Sequence, residues 1–311
     1  MMDGEVYACF NKNLDIQKSS SSGGIFYLLA QRVISQGGVV FGVRWTVNWE
    51  AVFDAAHTEN ELSAFLGSKY LPADMNEMYQ SAEQYLKDGK KVLYSGTPCQ
   101  ISGLKAYLEK EYDELTTVDV ICHGVPSPVV WRQYLRKVSS GQKIKQINFR
   151  DKTYGWLDYS LKIELDNGKV IRKPRNYDLF MRGFIKGAFL RPSCYQCCFQ
   201  NENHESDLTL GDFWKVRMKC EEMYHEEGTS LMIVRTQKGK QLLQQIQDQM
   251  QIRKLMEKDR ESPAELPTYR SQVFQKDDSE ILAFCEEKTR PPREKNGIRK
   301  LKKYVRKLIR K

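Results

Sequence analysis

Along the first 250 or so residues, short apolar runs bounded by glycines and polar turns alternate with segments of helical period. Residues 5–10 read as a first strand, 39–43 as a buried strand after the Gly37-Gly38 break, and 51–56 as its partner. An apolar helix is expected from about residue 25 to 34, and a short one near 61–65. The clearest βαβ signal follows: a helix near 79–88, a strand over 91–95, a turn at 96–98, a helix over 99–108 and a strand over 117–121. A right-handed crossover would set those two strands parallel. Pro128 opens a helix over about 129–138, before strands at 144–150, 159–165 and 168–172 with a hairpin turn at Asp166-Asn167-Gly168. A helix near 177–187, the segment from Asp207 to Gly211, a strand over 231–235 and a helix over 239–250 complete the pattern. From about residue 252 the chain turns polar and is punctuated by proline. The fold class expected is α/β, a mixed sheet with flanking helices.

A chain of 311 residues with 41% apolar and 29% charged residues can bury a sizeable core, as one large domain or two closely packed ones. It has no run of about 18 apolar residues, so no spanning helix is expected. The start, Met1-Met2-Asp3-Gly4-Glu5, is polar and acidic and gives no secretory signal, so a cytoplasmic location is expected. The net charge of +9 is a tail property: twelve Lys and Arg stand against Glu294 over 288–311, leaving the rest of the chain at about −2. No specific nucleic-acid binding by the body is therefore expected. In the tail, Ile298, Leu301, Tyr304, Val305 and Leu308 recur at helical spacing among the bases. This predicts a basic amphipathic helix that contacts an anionic membrane surface or an acidic partner, with a nucleic-acid tail or a solubilising tail as alternatives.

Eight cysteines in a reducing compartment argue against a disulfide framework. Cys194 and Cys197 form a Cys-x-x-Cys pair in Arg191-Pro192-Ser193-Cys194-Tyr195-Gln196-Cys197-Cys198-Phe199. Cys99, in Gly96-Thr97-Pro98-Cys99, and Cys122, in Val120-Ile121-Cys122-His123-Gly124, both fall just beyond expected strand ends, where open α/β sheets bind ligands. The unpaired N–H groups of a helix N-terminus favour a thiolate, the metal-binding form, and Cys99 has that position. Together the four supply the number of thiolates a tetranuclear cluster needs. Spacing alone leaves zinc, a thiol enzyme using Cys99 or Cys122 with His123, and a small buried residue at a strand end as alternatives. Cys9, Cys220 and Cys285 lack motif context. Ser19-Ser20-Ser21-Ser22-Gly23-Gly24 at a helix start offers hydroxyls and free N–H groups to an anion, or is an ordinary cap. No Gly-x-Gly-x-x-Gly or Walker sequence occurs, which disfavours the standard dinucleotide and triphosphate folds.

The motifs occur in a fixed order: Ser20-Ser21-Ser22-Gly23-Gly24-Ile25-Phe26, Gly38-Val39-Val40-Phe41-Gly42, Gly67-Ser68-Lys69-Tyr70, Gly96-Thr97-Pro98-Cys99-Gln100, Ile121-Cys122-His123-Gly124-Val125-Pro126-Ser127, Asn148-Phe149-Arg150-Asp151-Lys152, the Arg191 to Cys197 loop, and Asp207-Leu208-Thr209-Leu210-Gly211-Asp212-Phe213-Trp214. This set, spanning roughly residues 5–250, resembles the coenzyme F420 hydrogenase/dehydrogenase beta subunit family. The resemblance implies that family's flavin and iron–sulfur fold, with an N-terminal region over 1–90, a C-terminal region with the cysteine cluster over 91–255, and a polar linker and basic tail over 256–311.

It also implies FAD, a [4Fe–4S] cluster, and electron transfer between iron–sulfur carriers and a small-molecule two-electron acceptor, in some members a deazaflavin. Cys99, Cys122, Cys194 and Cys197 match the cluster ligands, and Cys198 falls outside the pattern. Ser20, Ser21, Ser22, Gly23 and Gly24, with Gly67, Ser68, Lys69 and Tyr70, match flavin contacts. Arg150 and Lys152 place positive charge near a reduced flavin, or else form a solvated strand end. The segment from Asp207 to Trp214 lines the same pocket, with Phe213 and Trp214 alternatively in the core. Many members begin with a ferredoxin-like stretch, and this chain starts where that stretch would end. A separate ferredoxin or electron-donor subunit is therefore expected. The alternative is a non-catalytic electron-transfer or scaffold subunit of a larger complex. Peripheral contact with the inner face of a membrane, through the tail, is the further expectation for location.

Overall fold

Alternating apolar positions divide one large sheet between two helical layers, and a second, smaller sheet closes over one end of it. The computed structural model describes residues 4–199, 204–256 and 259. In chain order the elements are β1 (Glu5–Asn11), α1 (Leu14–Ser19), α2 (Ile25–Ser35), β2 (Val39–Trp45), β3 (Ala51–Ala56), β4 (Ala73–Asp74), α3 (Met78–Lys87), β5 (Val92–Gly96), α4 (Pro98–Leu108) and β6 (Leu115–Val120). Then come α5 (Pro128–Ser139), β7 (Ile144–Asp151), β8 (Ser160–Leu165), β9 (Val170–Pro174), α6 (Leu179–Ile185), α7 (Pro192–Tyr195), β10 (Leu208–Asp212), α8 (Val216–Lys219), β11 (Ser230–Val234), α9 (Gln237–Gln244) and β12 (Met250–Lys254).

The large sheet runs β12-β1-β11-β10-β6-β5-β2-β3-β4, and the small one β7-β8-β9. Strands β2, β5, β6 and β10 are parallel, while β1, β11 and β12 add antiparallel pairings at one edge. Because side chains alternate across a strand, Val40, Leu93, Val118, Leu208 and Met232 face α2 and α9. Their neighbours Val39, Phe41, Val92 and Tyr94 face α3 and α4. The small sheet packs Ile147, Phe149, Leu161 and Ile163 against Trp131 and Tyr134 of α5 and Phe180 and Phe184 of α6. Each such fully buried side chain contributes roughly 1.5–3 kcal/mol.

The mixed sheet with flanking helices is as expected, and β2 pairs with β5, Phe41 opposite Tyr94, so residues 1–90 and 91–255 share one sheet. Several elements differ from the sequence pattern. The helix expected over 239–250 ends at Gln244, and Met250–Lys254 forms β12, with Ile252 opposite Cys9. A five-residue strand that pairs with the far N-terminal strand carries too short an alternation to read from its own sequence. Helix α1 is held by Asn13, whose side chain accepts from the Asp15 and Ile16 N–H groups. The expected helix near 61–65 is a 3-10 turn, Asn60–Phe65. Among the described residues no helix is long and apolar enough to cross a membrane. The basic tail over 288–311 and Cys285 lie outside the described residues.

Candidate functional site

The serine turn leaves α1 and doubles back against β1. Asn11 N–H donates to the Gly23 carbonyl at 2.7 Å, and Gly23 N–H donates to Ser230 Oγ at 3.0 Å. A Cβ on Gly23 would stand 2.7 Å from the Cys9 carbonyl oxygen, so a side chain there would displace the turn. Across from it, Ser21 Oγ lies 2.7 Å from Ser68 Oγ and accepts from Ser68 N–H at 2.7 Å. Ser22 Oγ donates to the Thr229 carbonyl at 3.1 Å. Lys152 Nζ donates to the carbonyls of Gln17 at 2.7 Å, Ser22 at 3.3 Å, and Glu227. Loss of water, with the Arg150 charge nearby, pushes the Lys152 ammonium down to about 8. Lys69 Nζ donates only to carbonyls of its own loop, Leu66 and Gly67, at 3.1 Å, and loss of water pushes it down to about 7.

Arg150 extends this network. Its guanidinium donates to Tyr70 Oη at 3.1 Å and to both oxygens of Asp212, at 2.8 and 2.9 Å. Trp156 Nε1 also donates to Asp212, at 2.9 Å. Tyr70 stacks on Phe184 with ring centroids 4.9 Å apart. At 3% exposure Arg150 is no solvated strand end. The three segments expected to contact flavin therefore meet: the serine turn touches Gly67-Ser68-Lys69-Tyr70 through Ser21, Lys152 through Ser22, and Arg150 joins Tyr70. Two polar atoms at this junction, Ser20 Oγ and Gln17 Oε1, are buried without a hydrogen-bond partner, as is Arg150 Nε. The Lys152 and Arg150 cations, the unpartnered Ser20 hydroxyl and the Arg150 Nε–H fit an anionic, hydrogen-bonding group such as the diphosphate of FAD, whereas Gln17 Oε1 is an acceptor and calls for a donor.

Sequence reasoning missed Gln17, Trp156, Tyr159 and Glu227, none of which sits in a motif. Asp212 lay inside a quoted motif, but its role needed the fold. The segment from Asp207 to Trp214 divides: Asp207 is buried and ties Thr117 and Thr236 together, Phe213 is core, and half-buried Trp214 stacks on Trp156 at 5.4 Å.

The cysteine loops sit at the C-terminal ends of the parallel strands. Cys99 is exposed in the first turn of α4, whose capping box uses Thr97 and Gln100, and its Sγ lies 3.2 Å from Thr97 Oγ1. Cys122 follows β6, which neighbours β5 with Gly96 opposite Asp119. The loop after Cys122 lies beside the chain entering α7: Arg191 N–H donates to the Val125 carbonyl at 2.7 Å, and Ser127 N–H to the Phe189 carbonyl at 2.9 Å. Cys194 and Cys197 are partly buried, and no disulfide joins the described cysteines. Yet among the described residues no three His, Cys, Asp or Glu side chains come close enough to hold a metal ion. The donor chemistry suits a cluster; the loops are neighbours while the sulfurs are not gathered. His123 Nε2 lies 3.0 Å from the Phe184 carbonyl. A buried dyad escaped the sequence altogether: His204 Nδ1 is 2.7 Å from Asp119 Oδ2, with Thr209 donating to the other oxygen. Cys9 and Cys220 are buried, and burial raises both thiols.

Residues 89–259 match the family profile that describes the C-terminal part of the coenzyme F420 hydrogenase/dehydrogenase beta subunit. A chain of the xenon-derivatised F420-reducing [NiFe] hydrogenase complex from Methanosarcina barkeri is similar in fold, with a TM-score of 0.59 at 15% identity over 93% of this chain and 90% of that one. No curated protein sequence matches. The family profile covers more than half of the chain, and the chain belongs to the coenzyme F420 hydrogenase/dehydrogenase beta subunit family.

Proposed function

We propose that this chain is an FAD- and [4Fe–4S]-dependent oxidoreductase subunit that passes electrons between an iron–sulfur donor and a small-molecule two-electron acceptor, deazaflavin-type or other. The observation that carries the reading is the Ser21–Ser68 contact, together with the Lys152–Ser22 and Arg150–Tyr70 hydrogen bonds. They assemble segments from three distant parts of the chain into one junction that holds Lys69, Lys152 and Arg150 and leaves some polar atoms unsatisfied. When bound, FAD supplies both one- and two-electron exchange. Ser20, Ser21 and Ser22, with the Gly23-Gly24 backbone, offer hydroxyls and N–H groups to its diphosphate, alongside Gly67, Ser68, Lys69 and Tyr70. Lys152 offsets negative charge, and Arg150, paired with Asp212, holds Tyr70 beside it.

Cys99, Cys122, Cys194 and Cys197 are the cluster ligands in this reading. Holding a cluster requires the four thiols to gather more closely than they stand here. Family kinship and the fold shared with a chain of a multi-subunit hydrogenase complex support a separate ferredoxin or donor subunit as partner. The cytoplasmic site and the peripheral membrane contact belong to the same proposal, and the contact rests on the bases and apolar residues of 288–311. A second reading, a subunit that keeps the fold without the redox chemistry, draws on the ungathered thiols. Anaerobic purification with flavin, iron and sulfide analysis separates the two: stoichiometric FAD and iron support the first, and colourless protein the second.

A further inference from the structure

Two guanidinium groups share one pair of aromatic rings beside this junction. Arg150 Cζ lies 4.2 Å from the Tyr159 ring centroid and 5.1 Å from that of Trp214, and Arg175 Cζ lies 5.0 and 5.3 Å from the same two. Asp212 neutralises Arg150, and its Oδ1 also takes the Trp156 indole hydrogen. Among the described residues no carboxylate pairs with Arg175, and its Nε is buried without a hydrogen-bond partner. The nearby cation Arg172 is already paired with Asp151 at 2.9 Å. Burial raises the Tyr159 phenol well above its ordinary range, so it stays neutral and supplies no counter-charge.

Arg175 is nevertheless held in place. Its N–H donates to the Tyr159 carbonyl at 3.1 Å, and its side chain is only partly exposed over the two rings. A fixed, partly desolvated guanidinium without an anion is costly, and its planar fork matches a carboxylate or phosphate. Ring stacking and a hydrogen bond with the Tyr159 phenol offset part of that cost, but leave the charge without a counter-ion and the Nε hydrogen unanswered.

We propose that Arg175, seated on Tyr159 and Trp214 beside the Arg150–Asp212 pair, anchors an oxyanion: the carboxylate or phosphate of the small acidic molecule that exchanges electrons at this site. The nature of that molecule as a redox substrate rests on the function proposed above; the binding of an oxyanion does not.

The test titrates the purified full chain with sodium phosphate and, separately, sodium malonate, against sodium chloride at matched ionic strength, and reads tryptophan fluorescence, since Trp214 lies under the guanidinium. A saturable change beyond chloride is expected, and the anion that saturates lower identifies the group. Arg175→Gln should raise the midpoint concentration about tenfold or more, while Arg172→Gln leaves it in place. Arg175→Lys, which keeps the charge without the fork, should raise it less. No saturable change, or an unaltered midpoint in Arg175→Gln, overturns the proposal; should that variant not fold, an unaltered midpoint in Arg175→Lys does so. Visible absorbance on the same samples separates the two readings. Oxyanion saturation without flavin contradicts the redox function and keeps the site, and flavin without saturation does the reverse. If Arg175→Gln also sheds flavin, the oxyanion is the cofactor's own phosphate and the substrate assignment fails.

Discussion

Arg150 grips Asp212 with both terminal nitrogens, at 2.8 and 2.9 Å, where Arg150 is 3% exposed and Asp212 16%. The pair joins β7 of the small sheet to the end of β10 in the large one, so the two sheets meet through a bidentate ion pair. Removing one partner of a buried pair leaves the other charge uncompensated. Asp212→Asn is expected to cost about 3–5 kcal/mol of stability. Urea unfolding midpoints measure this, and a loss below about 1 kcal/mol would contradict the role given to the pair.

Lys69 and Lys152 make stability depend on pH. Loss of water pushes Lys69 down to about 7, and the same effect with the Arg150 charge pushes Lys152 to about 8. The unfolded chain keeps both protons up to about 10.4. Between those limits the unfolded state binds more protons, so stability rises with pH. Lys69→Met should flatten the rise between about pH 7 and 10 and stabilise the protein below it. Chemical denaturation at pH 6, 8 and 9 checks this; parallel profiles in the two proteins would contradict the desolvated lysine.

Gly211, on β10, has no room for a side chain: a Cβ would stand 2.4 Å from Ile121 Cδ1, next to Cys122. Gly211→Ala is expected to cost about 1–3 kcal/mol by overpacking. Where Ile121 yields by shifting its backbone, Cys122 shifts with it, and the iron content of the proposed cluster should fall. Adding Ile121→Ala should recover most of the cluster occupancy, a coupling that a double-mutant cycle reads directly. Additive losses would mean that Gly211 and Ile121 act independently.

The large sheet could be read from the sequence where hydrophobic period and turn chemistry agreed. Gly37-Gly38 ahead of Val39 and Pro98 at the start of α4 mark boundaries through backbone constraints that each residue carries itself. What stayed hidden depends on partners far along the chain. Strand β12 exists because Ile252 finds Cys9, and Asp212 matters because Arg150 arrives from another sheet. The motifs expected to contact flavin were legible as ordered fragments, and the fold adds the hydrogen bonds that join them. His204 and Asp119 carried no motif, since only the parallel placement of β6 and β10 brings that dyad together. The cysteine quartet was legible as a donor count, whereas the described side chains stand short of one metal site.

The tail over 288–311 carries twelve bases and one acid. Its helical apolar spacing predicts binding to vesicles that contain anionic lipid, weakening as salt rises. Deleting 288–311 should abolish co-sedimentation and leave the fold's thermal transition in place. Equal co-sedimentation of the full and truncated chains would remove the membrane reading.

Whether the Ser21–Ser68 junction with Lys152 holds a flavin beside a four-cysteine cluster is tested most directly on anaerobically purified protein, analysed for FAD, iron and acid-labile sulfide with its visible spectrum. About one FAD and four irons per chain are expected, with iron lost in Cys197→Ser and flavin lost in Ser21→Leu. Protein that stays colourless and free of iron and flavin after cluster reconstitution with added FAD would contradict it.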